Sequence, residues 1–233
     1  MKKLLLSILA IFLVIGLVGA GTLAWFQDTE TSTGNTFTAG TMDLKIWTGS
    51  TWGDVGETAI WTMPNMEPGV TTDSGKAEVK WLGSITPHHL EIGCSYTATE
   101  GDPYGSGTPD TVNTAADPDS FAKYVEITSF NYYDGSPSWH IMWDGTNYSI
   151  SGNPPKPSGW TATDWEITDS DGVAGISLCD LKYDHLDNLP PGNEDEVLHF
   201  EMTVKFRSDA GNDLQGDTLN LTMIFTLNQD SSQ

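Results

Sequence analysis

The sequence predicts an all-β fold, a β-sandwich carrying a detachable N-terminal arm and an aromatic-rich insertion. Three observations point to it. Beyond the N-terminal segment the 233-residue chain has almost no apolar periodicity of helical spacing. Short runs rich in Thr, Val, Ile and aromatics recur between clusters of Gly, Pro, Asn and Asp. The clearest of these runs alternate apolar and polar side chains, as a sheet covered on one face requires.

The first element is a secretory signal. Met1-Lys2-Lys3 is basic, residues 4–18 are apolar apart from Ser7 and Gly16, and small residues follow, which is the order of a cleaved leader. A cut after Ala24 makes Trp25 the first mature residue; a cut after Ala20 is also allowed. An uncleaved anchor is the competing reading, since no charge lies between Leu4 and Gln27 and about 20 apolar residues span a bilayer. The expected organisation is a signal peptide over 1–24, an arm over 25–40 and a sandwich domain over 41–233 with a loop insertion at about 97–172. A signal peptidase is then a partner during export, and the membrane is one only before processing.

The arm is extended in character, free of proline, and too sparsely apolar to form a sheet alone. Its parity breaks at Gly40: Phe37 and Ala39 are odd, whereas Met42, Leu44 and Ile46 are even, so a bend separates two extended pieces. An arm freed by proteolysis can pair with a neighbour's edge strand while its aromatics fill apolar pockets. On spacing alone two alternatives stay open, an unstructured terminus and a strand folded back on its own sheet.

Strands follow at 42–46, 77–82, 89–96, 124–132, 139–143, 197–207 and 218–227. In the last, Leu219, Leu221, Met223, Phe225 and Leu227 share one parity, with Ile224 the exception. The stretches 97–120 and 151–159 read as exposed loops. Tyr132, Tyr133, Trp139, Trp143, Tyr148, Trp160 and Trp165 suit either core packing or a sugar-binding platform.

With 32 acidic against 10 basic residues the formal charge is −22, and loss of Lys2 and Lys3 takes it to about −24. Nucleic acid and anionic membrane surfaces are excluded as partners. Cys94 and Cys179 are the only cysteines; one disulfide between distant segments is chemically reasonable in an exported chain, with two buried thiols as the alternative. Asn147-Tyr148-Ser149 and Asn220-Leu221-Thr222 fit the N-glycosylation pattern.

Enzyme chemistry finds little support in the residues. No His-Glu-x-x-His or Gly-x-Ser-x-Gly motif occurs, and His88, His89, His140, His185 and His199 are scattered. An extended His88-His89 pair points its rings to opposite faces. The expectation is therefore no enzyme and no resident cofactor. Oxygen donors in loops, Asp169, Asp171, Asp184 and Asp187, are the candidates for calcium, although none follows EF-hand spacing.

The stretch Gly21-Thr22-Leu23-Ala24-Trp25-Phe26-Gln27-Asp28, with Thr36-Phe37-Thr38-Ala39-Gly40-Thr41-Met42-Asp43-Leu44, resembles the processing site and first strand of the TasA/camelysin family. Met66-Glu67-Pro68-Gly69, Gly83-Ser84-Ile85-Thr86-Pro87, Leu189-Pro190-Pro191-Gly192 and residues 210–217 are similar to that family's turns; 97–180 matches only loosely. The resemblance implies processing by a SipW-type signal peptidase and a jelly-roll subunit of an archaeal bundling pilus or bacterial biofilm matrix fibre. Subunits would then join head to tail by donor-strand exchange, with Trp25, Phe26, Phe37 and Ala39 as anchors, and lateral bundling of filaments would follow. Because camelysin is described as a metalloprotease, a secreted metallohydrolase is a further class beside the two main ones, the filament subunit and a non-polymerising sandwich that binds polysaccharide or a cell surface.

Overall fold

A computed structural model describes residues 27–28, 41–54, 68–71, 75–101, 112–135, 139–156, 158, 160, 165–214 and 216–230. The strands are β1 (Gln27–Asp28), β2 (Met42–Trp47), β3 (Trp52–Gly53), β4 (Gly75–Gly83), β5 (His89–Thr99), β6 (Val125–Asp134), β7 (Trp139–Trp143), β8 (Tyr148–Gly152), β9 (Leu186–Leu189), β10 (Leu198–Phe206) and β11 (Thr218–Asn228). Two short helices, α1 (Asp119–Ala122) and α2 (Leu178–Tyr183), lie between strands. All strand pairs are antiparallel. They form one sheet in the order β1-β11-β5-β9 and a second in the order β3-β2-β4-β10-β6-β7-β8.

The six strands β4, β5, β6, β9, β10 and β11 alternate between the two sheets along the chain, and β10 inserts between β4 and β6. Alternation in the sequence places the core. In β10, Leu198, Phe200, Met202, Val204 and Phe206 are buried, and the residues between them are half exposed. In β11 the odd positions from Leu221 to Leu227 are buried against them. Phe200 and Phe225 meet across the two sheets edge to face, with centroids 6.2 Å apart. This is the expected two-sheet sandwich.

Three expectations need correction. The stretch read as an insertion holds β6, which pairs along β10 in the middle of the larger sheet. The 97–120 stretch is not simply exposed: Thr114 is fully buried, its N–H donating to Glu100 Oε2 at 2.9 Å and its hydroxyl to Asp217 Oδ2 at 2.7 Å. A polar residue can be buried there because both its hydrogen-bonding groups are satisfied. Cys94 and Cys179 are two buried free thiols, not a disulfide. Cys94 Sγ donates to the Leu178 carbonyl at 3.4 Å, and burial pushes its pKa up to about 12.

Candidate functional site

Two features of the four-stranded sheet stand out, one of backbone and one of side chains. The first is an edge. β11 pairs with β5 along its whole length, from Thr218 opposite Thr99 to Asn228 opposite His89. On its other side the described residues supply only β1, where Gln27 pairs with Asn228 and Asp28 with Leu227. The flank of β11 from Thr218 to Thr226 therefore has no partner strand among the described residues. Unpaired N–H and C=O groups along so long an edge form a template for another extended chain. The proposed anchors Trp25, Phe26, Phe37 and Ala39, and the cleavage pair Ala24 and Trp25, lie outside the described residues. Two residues of the arm, Gln27 and Asp28, are folded back on the chain's own sheet.

The second feature lies in the same register. The row Gln27–Asn228–His89 crosses three strands. His89 is 1 % exposed and its Nε2 lies 3.1 Å from Asp187 Oδ1, 3.3 Å from Glu91 Oε1 and 3.1 Å from the Asn228 amide. His89 and Glu91 share a face because they are two apart on a strand. Asp187 reaches them from β9 through an irregularity: Leu90 pairs with Leu189 but Ile92 with Leu186, so the register slips there. Asn188 occupies the left-handed region at φ 51 within this slip, and its N–H donates to Asp187 Oδ1 at 2.6 Å. Nearby, Gly93 leaves room for the His185 ring, whose Cδ2 would sit 2.6 Å from a Cβ at that position.

Burial alone pushes the His89 pKa down, but hydrogen bonds to Asp187 and Glu91 more than reverse this and raise it to about 9. Its Nδ1 is 3.1 Å from His88 Nδ1, one of the two nitrogens donating, and the rings meet edge to face at 5.4 Å. This corrects the expectation that the two rings point apart. His88 precedes the first residue of β5, so strand alternation does not govern its direction.

The expected oxygen donors for calcium are divided. Asp169 and Asp171 cluster with Asp180, whereas Asp184 accepts from the Thr168 N–H at 2.7 Å and Asp187 belongs to the His89 cluster. The Asp180 carboxylate is already occupied, accepting from the backbone N–H groups of Ser170 at 2.8 Å and Ser177 at 3.0 Å. Asp169 and Asp171 accept from Gly175 and Val173 N–H groups. This cluster ties a loop to α2.

The aromatic insertion is mainly core. Tyr132, Trp139, Trp143 and Trp165 are buried, and Tyr133, Tyr148 and Trp160 are half-buried. Asn147 and Asn220 are both exposed, as carriers of a glycan must be. Among the described residues no helix is long and apolar enough to cross a membrane.

Fold and edge together define a two-sheet antiparallel sandwich that carries an N-terminal strand at the margin of its smaller sheet. A family model described as camelysin metallo-endopeptidase matches residues 1–131, and the chain belongs to this camelysin/TasA family. Family members are secreted or cell-surface proteins. Among curated proteins the comparison finds no match. The family's description names a metal, and His89, Glu91 and Asp187 fit one: an imidazole and two carboxylates whose ligand atoms all lie within 4.8 Å of one another.

Proposed function

We propose that the mature chain is the structural subunit of an extracellular filament, a bundling pilus or biofilm matrix fibre, in which the arm beginning at Trp25 completes the sheet of the next subunit along β11. The observation that carries this reading is the β11 edge, eleven residues long and met by only the two residues of β1 among the described residues. Its buried face is already apolar at Leu221, Met223, Phe225 and Leu227, so an incoming strand needs to supply only ladder hydrogen bonds and a few anchors. Donation of this kind runs head to tail and does not close on itself, which makes fibres. Membership of the camelysin/TasA family supports the reading.

Deleting residues 25–39 tests it. The truncated protein is expected to keep its sandwich fold by circular dichroism and to run as a monomer, while the mature protein forms fibres in electron micrographs. Fibres from the truncation would overturn the proposal. A non-polymerising binding module gains little support, since four of the seven insertion aromatics are buried.

A second reading, peptide hydrolysis, rests on the family's description and the His89 cluster. We place the structural role ahead of it. The chain has no His-Glu-x-x-His motif, the helix-borne arrangement that presents a zinc ion and its general base together in many metalloproteases. Chelator-sensitive cleavage of a peptide by the metal-loaded pure protein would reverse that order.

A further inference from the structure

We propose that His89, Glu91 and Asp187 bind one divalent transition-metal ion of the zinc type, which ties β5 to β9 beside the end of β11. The donors are a ring nitrogen and two carboxylate oxygens, and Asn228 closes the group from β11. Zinc bonds of about 2.0–2.2 Å to nitrogen and oxygen set tetrahedral ligand separations of about 3.3 Å. The Nε2 separations of 3.1 and 3.3 Å are already of that size, and the two carboxylate oxygens lie within 4.8 Å of each other, so one ion can be reached by all three ligands.

The surroundings of the His89 ring support the assignment. The nitrogen of His89 that faces away from the carboxylates is held by His88 Nδ1 at 3.1 Å, which fixes the ring as the outer partner of a ligating imidazole does. The register slip and the left-handed Asn188 turn Asp187 toward the ring. A route in is present as well, since the Glu91 and Asp187 side chains are 26 % and 23 % exposed. Charge favours a cation on a chain of net charge −22. Imidazole nitrogen selects zinc, copper or nickel over calcium, which takes six to eight oxygens. The inference stands independently of filament assembly.

Calorimetric titration of the purified protein with zinc and with calcium tests it. The expected result is one zinc per chain, bound more tightly than calcium. Glu91→Gln and Asp187→Asn should each weaken zinc by about tenfold or more; both sites are partly exposed, and circular dichroism checks the fold. Asp169→Asn, remote from the cluster, should leave zinc affinity unchanged. Copper(II) provides a second readout: its electron paramagnetic resonance spectrum should carry coupling from one imidazole nitrogen, lost in His89→Gln. Equal zinc affinity in wild type, Glu91→Gln and Asp187→Asn, or a copper spectrum without nitrogen coupling, would overturn the assignment. So would an absence of stoichiometric zinc binding in the wild type.

Discussion

Asp119, at the start of α1, accepts from Lys182 Nζ and the Tyr96 hydroxyl, each at 2.7 Å, and from the Tyr183 hydroxyl at 2.6 Å. Burial pushes its carboxyl upward, but these three donors more than offset that and hold it below the ordinary value of 3.8. A carboxyl whose pKa is lowered by folding stabilises the fold above its unfolded value. That contribution shrinks as pH falls toward the lowered folded value. Asp119→Asn should therefore lower the urea midpoint at neutral pH and narrow its difference from wild type in acid. The side chain is 30 % exposed, so screening keeps the neutral-pH cost to about 1 kcal/mol. An unchanged difference at every pH would show that the carboxylate charge is not what binds α1 to α2. Sequence reading did not single out Asp119, because Tyr96, Lys182 and Tyr183 are remote in the chain. His89 was half legible: His-x-Glu on an alternating strand puts both side chains on one face, but only the fold brings Asp187 to them.

Ser177 caps α2, its hydroxyl accepting from the Cys179 and Asp180 N–H groups at 3.0 and 3.1 Å, while Asp180 Oδ2 accepts from the Ser177 N–H at 3.0 Å. This reciprocal box fixes the helix that lies against β5 and buries Cys179. Ser177→Ala is expected to cost about 1–2 kcal/mol in equilibrium unfolding, with Cys179 more accessible to a thiol reagent. Unchanged stability would mean that packing of Leu178 and Leu181, not the cap, holds the helix. Elements were legible in proportion to their alternation. β10 and β11 bury every second side chain over much of their length and could be drawn from sequence. β9 could not: Leu186, Asn188 and Leu189 are all buried, and the register slip falls in the same four residues. β8 has four exposed residues of five, so its Tyr-Ser-Ile-Ser-Gly carries no two-sided pattern.

At the scale of the molecule the question is which chain fills the edge of β11. The fourteen-residue step from Asp28 to Met42 spans at most about 50 Å when extended, enough for the arm to cover its own sheet or to leave it. In isolation the intramolecular choice is favoured by effective concentration, and β1 takes it for two residues. A neighbour's arm that covers Thr218 to Thr226 as well gains ladder bonds that no partner strand makes among the described residues. Gln27 and Asn228 are directly opposed, and cross-strand neighbours in an antiparallel pair lie about 4.5–5.5 Å apart at Cα, within reach of a disulfide. Gln27→Cys with Asn228→Cys therefore reports the choice covalently, since the native thiols Cys94 and Cys179 are buried. Oxidation of assembled mature protein should give a ladder of linked multimers on non-reducing gels. The same protein oxidised as dilute monomer should give one band with an internal bond. Internal bonds alone within intact fibres would place the arm on its own sheet and remove strand exchange as the basis of assembly.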